Sequence, residues 1–137
     1  MNSTYRRISN SGARWLPALA LAGLIAWFSH QPQWPDAAQG YPDWLLHGGA
    51  FGALAFCVLW GATRGFQGLR IPLKQCVAAV LVASLYGAID ELHQSFIPGR
   101  DAAVGDWVAD SLGALTVVIV VAATFAGLRA LWENRGL

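Results

Sequence analysis

Four long apolar segments constrain this chain more than any other feature of its sequence. They cover residues 15–28, 44–63, 75–97 and 106–131, with short polar stretches between them. Charged residues make up only 12% of the chain, against about 25% in a typical soluble domain, and the mean hydropathy is +0.43. Such a chain has too little charge to cover a water-facing surface, so the four segments are predicted to cross a membrane as helices.

The predicted fold is therefore all-α, a polytopic membrane protein built as a bundle of four transmembrane helices. We expect one transmembrane domain over residues 15–131, with tails at 1–14 and 132–137. The first segment is short for a hydrocarbon core about 30 Å thick. It is nevertheless predicted to be a retained helix, because it ends in Ser-His-Gln-Pro and not in a small-residue cleavage site.

The basic residues predict how the helices are oriented. All lysines and arginines except Arg100 fall in the N-terminal tail, in the loop over residues 64–74 or at the C-terminal end. The other two loops carry the acids Asp36, Asp43 and Asp101. Because basic residues in short loops face the cytoplasm, both termini are predicted to be cytoplasmic, in a bacterial inner membrane.

Composition also narrows the classes of partner. A net charge of +1 offers no general attraction for nucleic acid, so none is expected as a partner. Cys57 and Cys76 lie in apolar surroundings and are predicted to be ordinary buried thiols, not a disulfide or a metal pair. Gly48 and Gly52 form a G-x-x-x-G pattern, and Gly49 with Ala53 repeats the spacing. This pattern predicts a face on which helix backbones approach closely.

Polar residues concentrate at three helix ends that the predicted topology brings to one membrane boundary, near the outer leaflet. Ionisable groups near the hydrocarbon are costly, and they usually face the bundle interior and mark function. By helical spacing, Glu91 lies about 100° around the helix from Asp90. The residues predicted to converge on one polar site are His47, Tyr86, Asp90, Glu91, His93, Gln94, Arg100, Asp106 and Asp110.

A structural interpretation competes with the functional one. Asp43 and Asp106 suit the capping of helix N-termini, and the remaining acids suit an ion-pair cluster. In either case Asp90, Glu91 and His93 are expected to point into the bundle, with a carboxylate near the guanidinium of Arg100. His47 is expected within hydrogen-bonding distance of an acid, since an unpartnered charge at this depth is penalised by several kcal/mol.

These residues also resemble the signature of a known family, the VanZ-like proteins. The resemblance spans roughly residues 43–113 and is carried by Asp43, His47 and Phe51, followed by Tyr86-Gly87, Asp90-Glu91, His93-Gln94, Pro98-Gly99-Arg100, Asp106 and Gly113. The chain departs from the pattern at two positions. Trp44 stands where the family often has lysine, and Asp110 stands where it often has asparagine, so this site is more anionic.

The resemblance implies a small bacterial membrane protein of the cell envelope. The family is named for a protein that gives low-level resistance to the glycopeptide teicoplanin, and other members resemble neighbours of envelope or exopolysaccharide genes. The leading hypothesis is a site for a lipid-linked or glycolipid ligand, with membrane lipids or lipid-linked glycans as partners. Arg100 would bind a phosphate or carboxylate, and Tyr86 or Trp107 would lie against the headgroup.

Three other functions stay open at this stage. A membrane enzyme would use Asp90 or Glu91 as general base, with His93 or His47 as acid, on a headgroup bond. A divalent-metal site suits the ligand types, but no compact metal motif is present, so no metal or other cofactor is predicted. Transport suits four short helices poorly unless the chain forms a homo-oligomer, which is left open.

Overall fold

The computed structural model describes residues 12–32, 38 and 40–134, and this part of the chain is helical and contains no strand. A short 3₁₀ turn over Gly12–Trp15 leads into α1. The α-helices are α1 (Leu16–Ser29), α2 (Asp43–Ala62), α3 (Leu73–Gln94) and α4 (Val104–Asn134). Taken with the turn before α1, all four are long and apolar enough to cross a membrane. The predicted fold class is confirmed.

Proline and acidic residues explain where the helices begin. Pro42 and Pro72 are the N-caps of α2 and α3, with extended backbone that leads into each helix. Pro17 lies in the first turn of α1, where its missing N–H costs nothing. Asp43 and Asp106 lie in the first turns of α2 and α4, where a carboxylate interacts favourably with the helix dipole.

The helix ends differ in detail from those predicted. Helix α4 continues to Asn134, so part of the expected C-terminal tail is helical, whereas α3 ends at Gln94 and not at residue 97. Most of the N-terminal tail, part of the first loop with Asp36, and residues 135–137 lie outside the described residues. Apolar side chains such as Leu85 and Ile119 project outwards, as a lipid-facing surface requires.

The most extensive contact in the bundle joins α2 to α4 through small residues. Gly113 of α4 lies directly against the backbone of Gly48. A Cβ on Gly52 would come within 2.9 Å of Cγ2 of Val117 and 3.1 Å of the carbonyl oxygen of Gly113. The predicted packing face is therefore confirmed for Gly48 and Gly52. Gly49 is exposed, and a Cβ added there would meet no atom of the described residues within 4 Å.

This packing sets the place of the polar residues. Residues from the start of α2, the end of α3 and the start of α4 are in mutual contact at one end of the bundle, which we call the site end. The end of α1 joins them through Ser29. Cys57 and Cys76 both have free thiols, as predicted; the first is half-buried and the second is buried.

Candidate functional site

His47 is the centre of a group of acids contributed by three helices. It is buried in the second turn of α2, and its Nδ1–H group donates to Oδ1 of Asp110 on α4 over 3.0 Å. Oε1 of Glu91, from α3, lies 4.0 Å from the same nitrogen. Oδ2 of Asp106 lies 4.0 Å from Nε2. We call His47, Glu91, Asp106 and Asp110 the His47 cluster.

Two of the three acids of this cluster, Glu91 and Asp110, are buried beyond what their hydrogen bonds explain. Asp110 is fully buried and Glu91 is 8% exposed. Oε2 of Glu91 accepts a hydrogen bond from the backbone N–H of Ala103 over 2.8 Å. Its Oε1 and the Oδ2 atom of Asp110 are buried and have no hydrogen-bond partner among the described residues. Leaving a buried acceptor unpaired costs about 1–3 kcal/mol, and more for a charged group, which favours a functional interpretation of this cluster.

A second polar group, the Asp90 cluster of Ser29, Asp90 and Gln94, joins α3 to α1. The hydroxyl of Ser29 donates to Oδ2 of Asp90 over 2.5 Å. Nε2 of Gln94 donates to the same oxygen over 2.9 Å and to Oγ of Ser29 over 3.2 Å. All three residues are buried. The hydroxyl of Tyr86 donates to the carbonyl of Ala22 over 2.7 Å, so this face of α3 fixes α1 in place.

His93 does not belong to either cluster. It is exposed, with Nε2 3.3 Å from Nδ1 of His30 and the two rings stacked at a centroid distance of 5.5 Å. The expectation that His93 points into the bundle was therefore wrong. Three residues along an α-helix turn the side chain about 60° from that of Asp90, which at the last turn of α3 is enough to face outwards.

Arg100 contacts the end of α1. Its Nε donates to the carbonyl of Gln31 and its Nη2 to the carbonyl of Phe28, both over 3.0 Å. The carbonyl of Phe28 lies in the last turn of α1 and also accepts the backbone N–H of Gln31, whereas the carbonyl of Gln31 lies just beyond the helix, so Arg100 binds the C-terminal end of α1. The carboxylate neighbour expected for the guanidinium is not among these two contacts and stays a prediction.

A polar cavity and an apolar groove meet at the His47 cluster. The cavity, of about 540 Å³, opens at the site end and is lined by His47, Gln94, Arg100, Asp106 and loop residues. The groove, of about 320 Å³, runs between α3 and α4 and is lined mainly by Ala88, Leu92, Ala102, Val104 and Trp107. Glu91 also lines the groove, and it lies next to His47 on the cavity side. The contact between Glu91 in the groove wall and His47 in the cavity wall therefore joins an apolar space to a polar one.

The structure thus divides the predicted site into two clusters. His47, Glu91, Asp106 and Asp110 lie together, whereas Tyr86, Asp90 and Gln94 face α1. The sequence analysis missed Ser29, which directly follows the first apolar segment. A hydroxyl at the last position of a membrane helix, level with a buried acid on another helix, was the available signal.

The comparisons with known proteins bear on the whole bundle. The family model described as VanZ/LLP1 matches residues 15–126, which include α1 to α3, most of α4 and both clusters. No curated protein and no solved structure matches the chain. The match confirms the resemblance carried by the residues around Asp90 and His47. With more than half of its length matched, this chain belongs to the VanZ/LLP1 family.

Proposed function

We propose that this chain is an envelope protein that binds a lipid-linked glycan or glycolipid at the outer leaflet, with the headgroup in the polar cavity. The observation that carries the proposal is that Glu91 in the wall of the apolar groove contacts His47 in the wall of this cavity. An amphiphile has the same division between a polar head and an apolar chain. Family membership supports a role in glycopeptide resistance of the teicoplanin type or in an envelope polysaccharide pathway.

The groove suits the chain of such a ligand. Leu92 and Val104 on its walls are 62% and 75% exposed, so they face the lipid in a membrane. The indole N–H of Trp107 donates to the carbonyl of Ser84 over 3.0 Å, which holds the ring against the groove. A lipid chain can therefore enter sideways from the bilayer without exposing apolar surface to water.

The cavity suits a sugar headgroup better than a bare phosphate. Asp43, Asp101 and Asp106 line it together with the guanidinium of Arg100. Carboxylates accept hydrogen bonds from hydroxyl groups but repel a phosphate. Two nitrogens of Arg100 already donate to the backbone of α1, so its role in binding an anion is smaller than the sequence suggested.

The proposal requires the site end to face outwards. Reporter fusions after Asn134 and at Gly68 should both read cytoplasmic, and a fusion next to Gly99 should read external, because the basic residues hold their loops inside. Matched fusions with the reporter for the opposite compartment serve as the control. An external reading at Asn134 would place the cavity at the inner leaflet and contradict the proposed ligand.

A direct test of lipid binding is to fill the groove with a larger side chain. Ala88 lines it on α3, and Ala88→Phe should lower the amount of co-purifying glycolipid at least tenfold, because a ring then occupies the space of the chain. Lipids extracted from the purified protein are quantified by mass spectrometry. Ala78→Phe makes the same change at an exposed position near the other end of α3 and should leave the lipid content as in wild type. Equal lipid content in both variants would contradict a chain in the groove.

One observation favours a second function, an acid–base enzyme acting on a headgroup ester or glycosidic bond. The imidazole of His47 is oriented by the buried carboxylate of Asp110, and Glu91 lies 4.0 Å away. A histidine held in this way by a carboxylate is a common general base. If the chain is such an enzyme, cells with the wild-type chain should contain a cleaved lipid product that is absent from cells with Glu91→Gln. If the chain only binds its ligand, the ligand should stay intact in wild-type cells.

A further inference from the structure

We propose that the His47 cluster binds one divalent transition-metal ion, with His47, Glu91 and Asp106 as its ligands. One nitrogen of His47 and one oxygen from each carboxylate lie within 4.8 Å of one another. This inference goes beyond the lipid ligand proposed above and does not depend on it.

The spacing of these atoms suits a metal ion after a small adjustment. Metal–ligand bonds of about 2.1 Å place neighbouring ligand atoms roughly 3.4 Å apart. Oδ2 of Asp106 lies 4.0 Å from Nε2 of His47, whereas Oε1 of Glu91 lies 4.0 Å from the other ring nitrogen, Nδ1. Since the three ligand atoms lie within 4.8 Å of one another, each separation has to close by up to about 1.4 Å. Small torsion changes in the three side chains cover such a distance, with Oε1 of Glu91 pivoting about the hydrogen bond that Oε2 accepts from Ala103.

An independent observation points to a guest between these residues. Oε1 of Glu91 is buried, accepts no hydrogen bond from the part of the chain that the structure describes, and faces Nδ1 of His47. Its partner oxygen, Oε2, is fixed by the backbone N–H of Ala103, which holds the carboxylate in this orientation. A buried carboxylate oxygen that faces an imidazole without a hydrogen bond is an arrangement that a bound cation stabilises.

Asp110 supplies the second feature of a metal site. A metal-binding histidine usually donates its other ring N–H to a carboxylate, which fixes the ring and raises the basicity of the ligand nitrogen. Nδ1 of His47 donates to Asp110 in this way, and Nε2 lies on the side of Asp106. Asp110 is thus a positioning residue for the metal and not a ligand.

The ligand set selects the class of ion. Ca²⁺ and Mg²⁺ prefer oxygen ligands alone, whereas an imidazole with carboxylates suits zinc or manganese. Glu91, Asp106 and Asp110 each place a carboxylate oxygen within 4.0 Å of a ring nitrogen of His47, so three acids surround one imidazole. A divalent cation offsets this excess of negative charge.

Zinc binding to the purified full-length chain tests the inference. The protein carries an affinity tag without histidine, is stripped with a chelator, and is titrated with Zn²⁺ in detergent. We expect one equivalent per chain by elemental analysis, and a rise in the midpoint of thermal unfolding of about 5 °C or more. Glu91→Gln and Asp106→Asn should each weaken zinc binding at least tenfold, and Asp110→Asn by about 10–100-fold.

Two controls separate this site from others. Glu133→Gln makes the same change at the opposite end of α4, and His93→Gln removes the exposed pair with His30; both should bind zinc as wild type does. Absence of zinc binding by the wild-type chain would overturn the inference. Loss of binding in His93→Gln together with wild-type binding in Asp106→Asn would overturn it as well. Asp106 is only half-buried, so Asp106→Asn is expected to fold even if Glu91→Gln does not.

Discussion

Gly113→Ala should prevent the bundle from assembling correctly. The added Cβ would overlap the backbone of Gly48, which cannot yield without moving the whole of α2. Overpacking a well-packed core of side chains costs about 1–3 kcal/mol, and a backbone contact gives less room to relax, so we expect a loss of at least about 3 kcal/mol. Thermal unfolding followed by tryptophan fluorescence in detergent measures the effect.

Gly127→Ala is the matched control for this change. It lies on the same helix, and a Cβ there meets nothing within 4 Å. Alanine is the better helix former by about 1 kcal/mol, so this variant should be as stable as wild type or more stable. If both variants unfolded at the same temperature, α2 and α4 would not pack through Gly48 and Gly113.

Glu91→Gln should abolish ligand binding and leave the fold intact. The amide keeps the shape of the side chain and still accepts the hydrogen bond from Ala103, but it loses the charge between the cavity and the groove. We expect bound glycolipid to fall at least tenfold, which corresponds to about 1.4 kcal/mol. The unfolding temperature should stay the same or rise, because a buried charge has been removed.

The same pair of measurements detects a purely structural role for Glu91. In that case the unfolding temperature of Glu91→Gln falls, and the bound ligand falls only in proportion to the folded protein. Glu133→Gln serves as the control, since Glu133 pairs with Arg129 on the exposed far end of α4. If Glu91→Gln were destabilised while its folded fraction bound as much glycolipid as wild type, the functional interpretation would be contradicted.

The sequence predicted the elements of this fold well because each depends on local patterns. Apolar length predicts the four helices, and the spacing of Gly48 and Gly52 predicts a close contact. Helical periodicity also places Asp90 and Glu91 on different faces of α3. Spacing within one helix does not say which neighbour each face meets, so the division into two clusters was not predictable. Only the structure shows that Asp90 faces α1 and Glu91 faces α2 and α4.

The missed features have the same physical origin. The capping of α1 by Arg100 joins residues on separate segments through backbone carbonyls, which carry no sequence signal. His93 sits in the last turn of α3, where a rotation of about 60° decides between interior and surface. The three residues of the proposed metal site come from three helices and form no compact motif, so the sequence did not group them.

Site-directed photocrosslinking tests the central claim, an amphiphile held beside Glu91, most directly. A photo-reactive amino acid with a short aliphatic diazirine side chain at Ala102, which leaves room in the groove, should capture a glycolipid or lipid-linked glycan in living cells, identified by the mass of the adduct. The same residue at Ala78 should capture only bulk phospholipid. We predict that the glycan-bearing adduct at Ala102 disappears when Glu91→Gln is added. Identical adducts at both positions, or a glycan adduct that survives Glu91→Gln, would contradict the account.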